Sequence, residues 1–385
     1  MKAGTLRPLY DAFGAYASVY LDTDRRSPDA ARAIGLRWRE AREALTGAGA
    51  REDTLDAIAS LIADADLAAP GRAVFARDGA VTGTIGLRTT PALPVAELAP
   101  LPHLRHALAD VPAAVPHLRV SASRAGGEII AYYGPDLRAA SGPADGARLD
   151  RQEARRTGEI TAESWPVHKT SVGGWSQARY QRSAERAWAE NAKELAAQVT
   201  RAASQSRAEF VVLAGDVRAR SLVIDRLAPG VRELVVVLEA EVPPDDPELA
   251  AVADATATRI AAEECERSLS RWRELADHDQ AVAGVQATIA AVRDGQAGTV
   301  FLCDDAALGS IAWLGVEGTD LATSQAELAE RGVLAPLAER ADEAIIRAAA
   351  STDAELFIVP GELASEYAPK DGVCAALRYP LPAPG

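Results

Sequence analysis

Glu209-Phe210-Val211-Val212-Leu213-Ala214-Gly215-Asp216-Val217-Arg218-Ala219-Arg220 reads as a buried strand that stops at a glycine and turns into a helix. The apolar run has strand length and is closed by Gly215. A helix is expected over 216–227 and a second strand over 233–238. Strand, helix, strand in that order predicts a sheet with parallel strands and helical cover. The helix start could hold an anion on its backbone N–H groups. It lacks the glycine spacing of a dinucleotide or Walker loop, so the better reading of Asp216 is a helix cap.

Upstream lies Val172-Gly173-Gly174-Trp175-Ser176-Gln177-Ala178-Arg179-Tyr180-Gln181-Arg182, a glycine pair entering a helix. Two adjacent glycines let a backbone approach another surface closely. At about 100° per residue, Arg179, Arg182, Arg186 and Lys193 gather on one side of that helix. Ala184, Trp188 and Leu195 fall on the other. No acidic residue occurs over 164–184, a span that also holds His168 and Lys169. The bland alternatives are a solvated helix face and an ordinary loop before a helix.

The 385 residues carry a formal charge of −14, with 48% apolar and 25% charged residues. Such a chain folds, exceeds one comfortable core and divides into domains. The negative total repels polyanions, so a nucleic-acid partner has to meet a local basic patch. No apolar run approaches the ~20 residues of a membrane helix, and the first residues are not followed by a secretion-signal segment. A cytoplasmic protein without a membrane partner is expected. Cys265, Cys303 and Cys374 are an odd, widely spaced set, and with five scattered histidines they give no metal-ligand spacing. No metal, cofactor or disulfide framework is expected.

Strands are expected over 17–22, 71–75, 83–87, 118–122 and 128–133, with helices over 29–45 and 53–62. Residues 134–146 are turn-forming and place a boundary, and the proline-rich 241–247 makes a stiff acidic linker. Beyond it come helical sequence over 247–294, broken near 278–284, strands over 299–303 and 355–359, and a helix over 341–350. The division is an N-terminal α/β domain (1–140), a central domain with the glycine pair (147–242) and a C-terminal α/β domain (247–385).

The Gly173-Gly174 segment, with its small polar residue, Gln-Ala-Arg-aromatic run and further arginine, resembles the central-domain loop of archaeo-eukaryotic class-one release factors and their bacterial relatives. Ser18-Val19-Tyr20-Leu21-Asp22-Thr23 and Thr299-Val300-Phe301-Leu302-Cys303-Asp304-Asp305 look like the bacterial branch. The resemblance implies an α/β fold with a three-domain release-factor/Pelota-like architecture, its mixed sheets covered by helices. It departs at one point: release factors place glutamine directly after the two glycines to orient the attacking water. Here Trp175 holds that place and Gln177 comes two residues later. An indole has one donor and much bulk, so it suits stacking on a base rather than orienting water.

Bacterial relatives without that glutamine include the Balon group of hibernation factors, which occupy the A site of idle ribosomes. By this resemblance Gly173, Gly174, Trp175, Ser176 and Gln177 form an rRNA- or tRNA-facing tip. Arg179, Arg182 and Arg186 hold phosphates, and His168 and Lys169 flank them. The implied partners are the ribosome and elongation factor Tu. The alternative is a peptide-release or tRNA-cleaving rescue factor that uses Gln177. Two other candidates, Asp22-Thr23-Asp24-Arg25-Arg26 and Cys303-Asp304-Asp305, read as strand-end turns.

Overall fold

The computed structural model describes residues 1–10, 13–25, 27–63, 71–87, 95–110, 115–124, 126–132, 137–138, 147–149, 154–161, 174–303 and 309–380. Of these, 137–138, 147–149, 154–161, 174–185 and 187 are described by their backbone. The fold is α/β, with mixed sheets covered by helices.

The chain forms two compact units. One comprises Pro112–Pro135 and Gln152–Ala261. Its five-stranded sheet runs in the order Val235–Val237, Phe210–Gly215, His117–Ser123, Gly126–Tyr132, Ala154–Thr161. The first three strands are parallel, with Val211 opposite both Val235 and Leu118. The last two add antiparallel. Side chains alternate along a strand, so the apolar run predicted from sequence serves both faces. Val211 and Leu213 pack against Leu195, Ala196, Val199 and Ala203 of the long helix Gly174–Ser206. Phe210, Val212 and Ala214 pack against Leu249, Ala253 and Ala257 of the helix Pro247–Ala276. A residue run buried on both sides has to be apolar throughout, which is why it shows no polar alternation.

Gly215 closes the central strand with φ +117°, and a Cβ there would meet the Ala122 carbonyl oxygen at 1.9 Å. That close approach lets the Asp216 N–H donate to the Ala122 oxygen at 2.9 Å. The turn from strand to helix is therefore fixed by a glycine.

The other unit comprises Met1–Val111, Asp136–Arg151 and Ala262–Gly385. A six-stranded sheet, Val95–Ala99, Tyr16–Asp22, Gly71–Arg77, Ala80–Leu87, Ala147–Leu149, Leu137–Arg138, carries helices Ala30–Gly47 and Glu52–Ala63 on one face through Val19, Leu21, Val74, Ile34, Leu45, Leu55 and Ile58. From the opposite face Tyr20, Phe75 and Ile85 join one core with Leu101, Leu104, Ile345, Ile346 and Ala349. A four-stranded sheet of Ala281–Ala283, Val373–Leu377, Ala297–Cys303 and Glu355–Val359 belongs to the same unit, as does a three-stranded one of Leu321–Ala322, Ile311–Leu314 and Leu337–Arg340.

These units are drawn differently from the sequence divisions at 1–140, 147–242 and 247–385. The strands His117–Ser123 and Gly126–Tyr132, placed in the first region by sequence, pair into the sheet of Phe210–Gly215. The first and last regions share a core. Turn-rich sequence marks where the chain turns, whereas strand pairing decides which unit a strand joins.

Candidate nucleic-acid interface

Gly174 is the first residue of the long helix, and no glycine or proline follows until the helix ends at Ser206. Its alanines, glutamates, glutamines and arginines favour a helix, which explains its 33 residues. Ala192, Leu195, Ala196, Val199, Ala202 and Ala203 are buried at spacings of three and four, the face laid on the sheet. About 27 Å of helix separates Gly174 from Ala192. The head of the helix thus lies several turns from this buried face.

Of the residues predicted for the tip, His168, Lys169 and Gly173 lie outside the described residues. Gly174, Trp175, Ser176, Gln177, Arg179 and Arg182 all fall on the backbone of the first three turns. Arg186 is exposed.

Where the helix reaches the sheet, Trp188 departs from the sequence expectation of an apolar inner position, since it is half-buried beside two arginines. The Arg124 guanidinium carbon sits 4.9 Å from the indole centroid and that of Arg218 5.7 Å. Together with Ser123, Gly126, Asn191, Ala219 and Leu222, these residues line a small cleft. Arg124 follows the strand His117–Ser123, and Arg218 sits in the first turn of the helix Val217–Ile224. Both flank the carboxyl ends of parallel strands, where open α/β sheets bind ligands. Nothing local in the sequence joins residues 124, 188 and 218; only the pairing of strands 117–123 and 210–215 brings them together.

Asp216 caps that helix as predicted: its carboxylate accepts from the N–H groups of Arg218 and Ala219, each at 3.0 Å. It also pairs with Arg124 at 3.1 Å. The Ala219 N–H first, then Arg124, hold its pKa below the ordinary value. Asp216→Ala is expected to cost about 1 kcal/mol in thermal unfolding at neutral pH. A carboxyl with a depressed pKa contributes stability above its unfolded value and loses it in acid. The gap between variant and wild type should therefore close as the pH falls below the aspartate range; a gap that persists in acid would refute the cap's role.

The remaining sequence candidates are structural where described. Asp22 accepts from the Asp24 N–H at 2.9 Å and pairs with Arg37 at 2.7 Å, the expected strand-end turn. Arg26, Asp304 and Asp305 lie outside the described residues. Cys265, Cys303 and Cys374 are buried, unbridged and gathered in one apolar cluster. Burial pushes the Cys265 thiol up to about 12, which leaves it protonated at neutral pH. Among the described residues no group of three or more His, Cys, Asp and Glu is placed to hold a metal. No helix among them is long and apolar enough to cross a membrane.

Residues 116–278 match the model of bacterial archaeo-eukaryotic release factor family 2. The matched segment contains every strand of the five-stranded sheet, the long helix and the cleft. This part of the chain is similar to that family, in agreement with the sequence resemblance. Two Mycobacterium tuberculosis proteins are each 27% identical to the chain over 394 residues: uncharacterized protein MT2704 of strain CDC 1551 / Oshkosh and uncharacterized protein Rv2629 of strain ATCC 25618 / H37Rv. Each match covers 98% of this chain and 97% of the relative. Solved structures with similarity include archaeal Pelota in a model of ribosome-bound Pelota and ABCE1, at 11% identity and TM-score 0.38, covering 99% of this chain and 95% of that one. The archaeal translation termination factor aRF1 is similar at 13% identity and TM-score 0.25, covering 97% and 96%.

Proposed function

We propose that this protein is a ribosome-associated translation factor that occupies the A site of idle ribosomes and protects them under stress, without hydrolysing peptidyl-tRNA. The observation that carries this reading is Trp175, directly after Gly173-Gly174 within the segment that matches the release-factor family. An indole stacks on nucleobases at roughly 1–3 kcal/mol per base and offers no amide to orient a water. The tip that a release factor uses for chemistry becomes, in this reading, a docking element. His168, Lys169, Gly173, Gly174, Trp175, Ser176 and Gln177 face rRNA or tRNA, while Arg179, Arg182 and Arg186 hold phosphates. The role resembles that of the Balon hibernation factors, with elongation factor Tu as an accompanying partner and the cytoplasm as the place of action.

Co-sedimentation with vacant bacterial ribosomes tests this. Wild type should pellet with them at moderate salt, and Arg182→Glu/Arg186→Glu should weaken binding by about tenfold or more, since two reversed charges remove phosphate contacts. Wild-type protein that stays in the supernatant would sink the proposal. The second reading, release or rescue chemistry through Gln177, is favoured by one observation: Gln177 lies in the first turn of the helix, three residues from Gly174. Peptidyl-tRNA hydrolysis that disappears in Gln177→Ala would replace the hibernation reading by this one.

A further inference from the structure

We infer that the cleft between Arg124, Trp188 and Arg218 is a second RNA contact, one in which each arginine holds a backbone phosphate beside the long helix. It rests on the reading above that this unit faces RNA, and it adds a surface that the glycine tip does not include. The cleft is built from three separated pieces of chain. Arg124 is fixed by the Asn191 amide, which donates to its carbonyl oxygen at 3.2 Å. Asp216 pairs with its guanidinium, and that same carboxylate caps the helix carrying Arg218.

A guanidinium held over an indole directs its N–H groups sideways, the geometry that suits phosphate oxygens. The Arg124 side chain remains 53% exposed. Arg218 is exposed as well. Of the described acids nearby, Asp216 is engaged with Arg124 and two backbone N–H groups, and Glu190 pairs with Lys193 at 3.2 Å. In a chain of net charge −14, a surface with two arginines against one indole is the kind of local patch a polyanion requires. The cavity volume of about 10 Å³ has room for about one water and lies far below the roughly 300–1,000 Å³ typical of small-molecule sites. It fits a contact on a continuous backbone better than an enclosed metabolite.

The test uses full-length wild type, Arg124→Ala/Arg218→Ala and Arg124→Lys/Arg218→Lys. Binding to vacant bacterial ribosomes by co-sedimentation and to a short labelled oligouridine by fluorescence anisotropy is followed across a potassium chloride titration. Loss of two phosphate contacts should flatten the log–log salt slope by about 1.4–1.8 in the alanine variant and weaken binding about tenfold at intermediate salt. The lysine variant, which keeps both charges, should retain the wild-type slope. If the alanine variant unfolds, Arg124→Ala alone should flatten the slope by about half as much. Ribosome binding by all variants with an unchanged slope overturns the second contact and leaves the A-site reading intact. Oligouridine binding that depends on both arginines, without sedimentation of wild type, upholds the second contact and sinks the A-site reading. Wild type that binds neither probe overturns both.

Discussion

Replacing His103 by alanine is expected to destabilise the protein by about 3–5 kcal/mol, seen as a lowered midpoint in urea unfolding. The imidazole is buried, with Nδ1 at 2.5 Å from Glu97 and Nε2 at 3.1 Å from Glu339. Glu339 is 5% exposed, and its other oxygen accepts from the Leu101 N–H at 3.1 Å. Behind it the Leu104 and Arg105 N–H groups donate to Glu343 at 2.8 and 3.0 Å. Arg105 and Arg340 pair with the buried Asp342 at 2.9 and 2.6 Å. Truncating His103 leaves a buried carboxylate without its counter-charge, which costs more than the pair itself contributes. His103→Ala/Glu339→Gln should recover part of the loss, because a neutral amide needs no counter-ion. Equal destabilisation in the single and double variants would refute the pairing as the source.

The same cluster sets a pH dependence. Burial lowers the His103 pKa, but hydrogen bonds to Glu339 and Glu97 outweigh it and raise the value from 6.5 to about 10. A raised pKa contributes stability that is complete below the unfolded value and is lost as the pH rises through the folded one. The gap between wild type and His103→Ala should be widest below about pH 6.5 and shrink towards pH 10. Burial and the Asp342 charge push Glu343 up from 4.5 to about 7, so its contribution fades over that range, in the same direction. A gap that grew with pH would contradict the raised His103 value.

Gly215→Ala should cost about 3 kcal/mol or more. Its φ of +117° is strained for any side chain, and the new Cβ would fall 1.9 Å from the Ala122 oxygen, a backbone atom that cannot swing aside. The strand would have to part from its neighbour at the turn that also positions Asp216 and Arg218. Circular dichroism melting reads the stability, and the potassium chloride titration of oligouridine binding reads the cleft. A variant as stable as wild type would show that the turn relaxes without loss.

Much of the secondary structure was legible, because the signals were local. The apolar run at 210–214, the caps and breaks around Asp216 and 278–284, and the helical spacing at 29–45 and 341–350 each depend on neighbours in sequence. Short strands such as Val95–Ala99 and Ile311–Leu314 carry few residues of signal and were not read. The helix after the glycine pair was legible from its composition, but the role of Trp188 was not. On a wheel it shares a side with Leu195, yet it sits two turns nearer the head of the helix, where arginines from two other segments meet it.

By itself the sequence determined the class of fold, the glycine pair at the head of a basic helix, and the tryptophan in the place of a water-orienting glutamine. These depend on covalent order and on periodicity over a few residues. The tertiary structure alone decided that strands 117–123 and 126–132 complete the central sheet, that the first and last regions share a core, and that Arg124, Trp188 and Arg218 line one cleft. Those outcomes depend on which apolar faces cover one another, and hydrophobic burial carries no direction along the chain from which a partner could be read.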